Sequence, residues 1–124
     1  MKKYSKYIIS IFLSTILYSQ EKIIFKSANP FGFKDIISNI ETLDEIEVNG
    51  VLKLPNGEGP FPLIIGVAGS LDWGDHHLEY MEMYRSMGIA TFELQSFSSR
   101  GIKSTVGSQV NVTTAMMILD AYKA

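Results

Sequence analysis

The chain contains no cysteine. Disulfide cross-links and a thioether-linked lipid anchor are therefore excluded, and stability must rest on packing alone. Histidine is nearly absent: His76 and His77 are the two, and they are adjacent. Adjacent positions on a helix point in different directions, whereas ligands drawn from one helix sit three or four residues apart. Asp72, Asp75, Glu79 and Glu82 lie nearby but supply no convincing third partner, so no metal site is expected. No Gly-x-Ser-x-Gly occurs, and Ser70 in Gly66-Val67-Ala68-Gly69-Ser70 stands at the end of the phrase rather than its centre. A phosphate-cradling loop and a dinucleotide fingerprint are also missing, and no cofactor is expected. The longest apolar run, residues 8–17, is about half of the ~20 residues that a membrane-spanning helix needs.

What remains is the composition of one globular domain: 124 residues, 46% hydrophobic and 19% charged. Lys2, Lys3 and Lys6 precede that apolar run, and Tyr18-Ser19-Gln20 follows it as a cleavage zone, though not of the usual Ala-x-Ala kind. Residues 1–19 thus read as a secretory signal peptide, with a periplasmic or secreted product and no stable membrane insertion after cleavage. Removing them takes three of the eleven Lys and Arg and none of the thirteen Asp and Glu, leaving eight against thirteen, or −5. Nucleic acid and anionic membranes call for clustered basic residues and are not expected partners.

Beyond the leader, residues 20–44 read as an N-terminal extension, with a turn at Asn29-Pro30-Phe31-Gly32 and a short amphipathic helix through Phe33, Ile36, Ile37 and Ile40. Residues 45–54 alternate polar and apolar with Gly50 near the middle, which reads as a β-hairpin or one bulged strand. Leu63 to Val67 is continuously apolar, the mark of a strand buried on both faces. A small-residue loop follows, and from His76 to Met87 a helical face runs through Leu78, Met81, Tyr84 and Met87, closed by Gly88. Residues 89–94 are a second strand. Gln95 to Ser108 is a polar loop, and Gln109 to Lys123 a helix with a broad apolar stripe including Val110, Val112, Met116, Met117, Leu119 and Ala121. Asn111-Val112-Thr113, which fits a glycosylation sequon, falls inside that helix. Strands alternating with helices predict an α/β fold, a hairpin followed by parallel β-α-β-α. The last helix has little predicted sheet to pack on and no stop signal, so the chain is expected to be a truncated domain.

Three segments carry a family resemblance. They are Leu54-Pro55 through Gly59-Pro60-Phe61-Pro62; Val67-Ala68-Gly69-Ser70; and Gln95-Ser96-Phe97-Ser98-Ser99-Arg100-Gly101 with Ser104-Thr105-Val106-Gly107. With Asp120-Ala121-Tyr122, they make Val51 to Ala124 resemble the N-terminal half of the dienelactone hydrolase family, within the α/β-hydrolase fold. The resemblance implies hydrolysis of a small-molecule ester or lactone by a nucleophile–acid–histidine triad. None of the three is expected among residues 45–124, which would be the front half of the domain. An oxyanion loop is expected here, because backbone amides at a turn after the third strand of this fold serve as donors to the developing charge. Ser70 and Leu71 are the donor candidates and Gly69 permits the turn. Trp73, Phe97 and Arg100 are candidates for the substrate-pocket wall, with Arg100 alternatively bracing its loop.

Two departures accompany the resemblance. Ala68 stands where relatives usually have His, removing side-chain hydrogen bonds that shape the loop. Gln95 stands where they usually have Asp, removing the charge that would pair with Arg100 unless Glu93 substitutes. A reading of a different class is a non-catalytic binding module that dimerises through Val110, Met117 and Ala121.

Overall fold

The computed structural model describes residues 19–124; the signal-peptide expectation lies outside the described residues except for Ser19. Four strands, β1 (Gln20–Ala28), β2 (Glu45–Lys53), β3 (Leu63–Val67) and β4 (Ala90–Leu94), join three helices, α1 (Phe33–Ser38), α2 (Asp75–Ser86) and α3 (Thr114–Lys123). Single turns of 3-10 helix lie at Ile40–Thr42 and Ser98–Arg100. The strands form one mixed sheet in the order β1-β2-β4-β3. β1 is antiparallel to β2, β2 antiparallel to β4, and β3 parallel to β4. The architecture is mixed α/β.

The antiparallel pair differs from the expected hairpin. Residues 45–53 form one strand, and its partner is β1, which pairs with it from Gln20↔Lys53 to Ala28↔Glu45. The segment 20–44 thus contributes the first strand of the sheet and is more than an extension. Lys22, Lys26 and Ser27 blurred the alternation there. Lys26 reaches across to Glu45 and Glu47, whose hydrogen bond and field, Glu45 foremost, raise its pKa above the usual lysine value. Gly50 marks a close approach rather than a bulge. A Cβ there would stand 2.2 Å from Cζ of Phe92, so the ring lies directly over the glycine.

The two faces of the sheet carry different chemistry, as the period-2 alternation dictates. Val48, Phe92 and Leu94 form a buried cluster joined by Ile23, Phe25, Ile46, Leu52 and, from α3, Ala121. On the opposite face Thr91 and Glu93 meet Arg85 of α2. Arg85 donates to Thr91 Oγ1 at 2.8 Å and lies 3.5 Å from Glu93, whose carboxylate also binds Lys53 Nζ at 2.8 Å. The buried face of α2 therefore runs through Met81 and Arg85 instead of Leu78 and Met87, which are exposed. Burying Glu93 requires cations, and the helix turns to deliver one. Gly88, at φ +81°, closes α2 in the left-handed conformation that glycine adopts without penalty.

β4 is buried along its whole length, but β3 is not. Leu63, Ile65 and Val67 are exposed. Continuous hydrophobicity predicted burial on both faces, yet β3 forms a sheet edge and α3 lies mainly over β1. Only Ile64 and Gly66 face cover, and a Cβ on Gly66 would stand 2.6 Å from the Trp73 ring. The expectation that α3 has little sheet to pack on is also corrected, since β1 supplies the added surface. α3 starts at Thr114, with Thr113 as N-cap accepting from Met116 N at 3.2 Å. Gln109 to Val112 are turns and bends, so Val110 is off the helix and Asn111 of the sequon is exposed. Among the described residues no helix is long and apolar enough to cross a membrane.

Candidate functional site

In open α/β sheets ligands gather beyond the carboxyl ends of parallel strands. At that end of β3 the chain makes a tight turn, Gly69 to Asp72, closed by Asp72 N–H donating to Gly69 O at 2.9 Å. Ser70 and Leu71 occupy its two central positions. Neither of their amides is engaged by a backbone or side-chain acceptor among the described residues, and both residues are exposed. Two adjacent, unspent N–H donors on a short turn are the minimum equipment for holding a carbonyl oxygen as it gains charge. Gly69 has open space where a Cβ would stand, so its contribution is backbone freedom rather than avoidance of a clash.

Two latches hold the turn. The Ser70 carbonyl accepts from Thr105 N at 2.9 Å and from Ser104 Oγ at 3.0 Å. The Ser104-Thr105 phrase thus grips the turn from the other loop, and Ala68, just before the turn, is buried. Both latches use the carbonyl, so neither the Ser70 nor the Leu71 amide is spent on holding the turn. Beyond the turn, Trp73 Nε1 donates to Leu94 O at 2.9 Å, tying the loop to the end of β4.

Asp72 ends the turn with φ of +61°, a left-handed conformation, and its Oδ1 is buried without a hydrogen-bond partner. Both features cost free energy in the folded state. The sequence placed Asp72 among the acids near His76, and nothing in its pattern marked the left-handed backbone.

The residues expected at the pocket wall separate. Phe97 is 1% exposed and packs with Val112 and Met116, so it is core and cannot touch a ligand. Arg100 braces: its guanidinium binds Asp120, Ser96 O at 2.9 Å and Ala28 O at 3.0 Å. The carboxylate that pairs with Arg100 is that of Asp120. Glu93 does not substitute, because it lies on the other face of the sheet with Lys53 and Arg85. Gln95 instead accepts from Ser98 Oγ at 3.2 Å. Trp73 alone of the three borders an open cleft, of about 450 Å³, with Leu71, Asp72, Ser98 and Lys103.

His77 Nδ1 accepts from Gly74 N at 3.1 Å and so caps the start of α2, and the centroids of the His76 and His77 rings lie 3.8 Å apart. With Leu71 and Val106 they border a second cleft of about 420 Å³. Among the described residues no serine hydroxyl is hydrogen-bonded to either histidine. The three residues of the alternative dimer face do not share one exposed helical surface. Ala121 packs on the core cluster and Val110 stands in a turn. No family model, no curated protein and no solved structure matches this chain.

Proposed function

We propose that this chain supplies the scaffold and the carbonyl-binding turn of an exported ester or lactone hydrolase similar to the dienelactone hydrolase family. The observation that carries the reading is the pair of unengaged amides at Ser70 and Leu71, held at the carboxyl end of β3 by latches that use only the Ser70 carbonyl. In the α/β-hydrolase fold one oxyanion donor comes from the loop between the third strand and the helix after it. Here that loop runs from Ala68 to Gly74, between β3 and α2. The nucleophile, acid and histidine of the reaction are then supplied by residues other than these. Export rests on the basic and apolar pattern of residues 1–19.

An amide-resolved titration tests the reading. Ethyl methylphosphonate, an anionic tetrahedral mimic of the hydrolytic intermediate, is added to the ¹⁵N-labelled chain. The Ser70 and Leu71 amide signals are expected to move downfield saturably and together. Saturable shifts elsewhere, with these two stationary, overturn the assignment.

A further inference from the structure

Three clefts border the Gly69–Asp72 turn, and they differ in charge. The one beside Trp73 carries Asp72 and Lys103, and the one beside Val106 carries Asp72, His76 and His77. The third, of about 400 Å³, opens beside Ser70 and has no titratable side chain in its wall. Phe31, Phe33, Val110 and Met117 provide its apolar surface, and Thr105 and Gln109 are neutral polar groups near Ser70. Its volume falls within the range of small-molecule sites. Phe31, Phe33 and Val110 are 69%, 53% and 58% exposed, so three large apolar side chains stand in water at its mouth. Ligand-binding grooves are among the surfaces that clustered apolar exposure marks.

We propose that this cleft takes the uncharged apolar group of the compound whose carbonyl oxygen meets the Ser70 and Leu71 amides. The substrate class is then a neutral ester or lactone bearing an aromatic or alkyl group, and not one bearing a further carboxylate. The inference rests on the carbonyl-binding reading and narrows it. A carboxylate moved into the cleft loses water and finds no Arg, Lys or His to replace it. The starts of two helices reach the wall: α3, through Thr113, Thr114 and Ala115, and the short α1, through Gly32 and Phe33, whose own end is taken up by the Asp35 carboxylate. A helix terminus in an open, solvated cleft offers a partial charge, sufficient for a carbonyl or hydroxyl oxygen but no substitute for a cation. Phe31 and Phe33 are set in place by Asp35, whose carboxylate accepts from the Phe31 and Gly32 amides at 2.9 Å.

Methyl benzoate and the anion of monomethyl terephthalate, the same ester with one added carboxylate, separate the possibilities. Binding to the full chain is followed at the methyl signals of Val110, Ala115 and Met117 and, independently, at the Ser70 and Leu71 amides. Methyl benzoate is expected to shift the methyl signals saturably, with the anion binding at least about tenfold more weakly. Val110→Lys, at an exposed position, is expected to reverse that order without changing the thermal midpoint. Equal or tighter binding of the anion by the unaltered chain overturns the proposal, as does a Val110→Lys variant that keeps the original order. Amide shifts with silent methyls overturn the cleft assignment and leave the carbonyl-binding reading standing. Methyl shifts with silent amides do the reverse.

Discussion

Arg100 holds Asp120 by both carboxylate oxygens, Nη1 to Oδ2 at 2.6 Å and Nη2 to Oδ1 at 3.0 Å, with the carboxylate wholly out of solvent. Ser27 Oγ and Ser96 Oγ donate to the same carboxylate, so β1, the loop after β4 and α3 meet at one ion pair. Removing one partner of a buried pair leaves a charge without compensation, at a cost of about 3–5 kcal/mol. Arg100→Met and Asp120→Leu should each destabilise the chain by that order in urea titrations. The double variant should lose less than the sum of the two, because it leaves no lone charge. Strict additivity would contradict the geometry.

Gly50 and Phe92 pack face to face across β2 and β4. Gly50→Ala places a methyl 2.2 Å from a ring atom in the core, and overpacking of this kind costs about 1–3 kcal/mol. Shortening the ring should relieve it: Gly50→Ala with Phe92→Leu is expected to be more stable than Gly50→Ala alone combined additively with Phe92→Leu. Both are read from denaturant midpoints.

Asp72 combines a left-handed backbone with a buried oxygen lacking a partner. Asp72→Gly removes both liabilities, and despite glycine's greater freedom when unfolded it should leave stability unchanged or raise it by up to about 1 kcal/mol. Asp72→Val, β-branched at positive φ, should cost about 1–2 kcal/mol or more. A clear loss of stability in the glycine variant would mean that the carboxylate makes a favourable contact of its own.

No serine among the described residues has a histidine partner, and a hydroxyl without a base is a weak nucleophile. The purified chain is expected to hydrolyse 4-nitrophenyl acetate no faster than free imidazole at the concentration of its histidines, and without saturation. Turnover abolished by a single serine substitution would overturn that expectation.

Local signals in the sequence were dependable where neighbours in the chain decide the outcome. The turn at Gly69-Ser70-Leu71, the helix before Gly88 and the strand at Ala90–Leu94 all appear within a residue or two of expectation. Long-range partners were illegible. Nothing near Arg100 announced Asp120, because the pair closes only when α3 lies against β1. The expected helical face ran through Leu78 and Met87, and nothing in that period showed that Arg85 is turned inward to the buried Glu93. Ile65 and Phe92 look alike as members of apolar strands; sheet order alone makes one an exposed edge and the other core. Likewise the position of Phe97 in the loop after β4 suggests a pocket wall, and only the distant Val112 and Met116, which pack over it, make it core.

The central claim is that the Ser70 and Leu71 amides act as a pair of donors, and Ser70→Pro tests it most directly. Proline is favoured at the second position of such a turn, keeps the carbonyl that Thr105 and Ser104 hold, and removes one N–H. A hydrogen bond to a charged acceptor is worth about 1.5–3 kcal/mol, and each 1.4 kcal/mol is about tenfold in affinity. Titrated with ethyl methylphosphonate and followed at the Leu71 amide, the variant should bind roughly tenfold or more weakly while its thermal midpoint stays within a few degrees of the parent. Unchanged affinity in a folded Ser70→Pro chain would contradict the account.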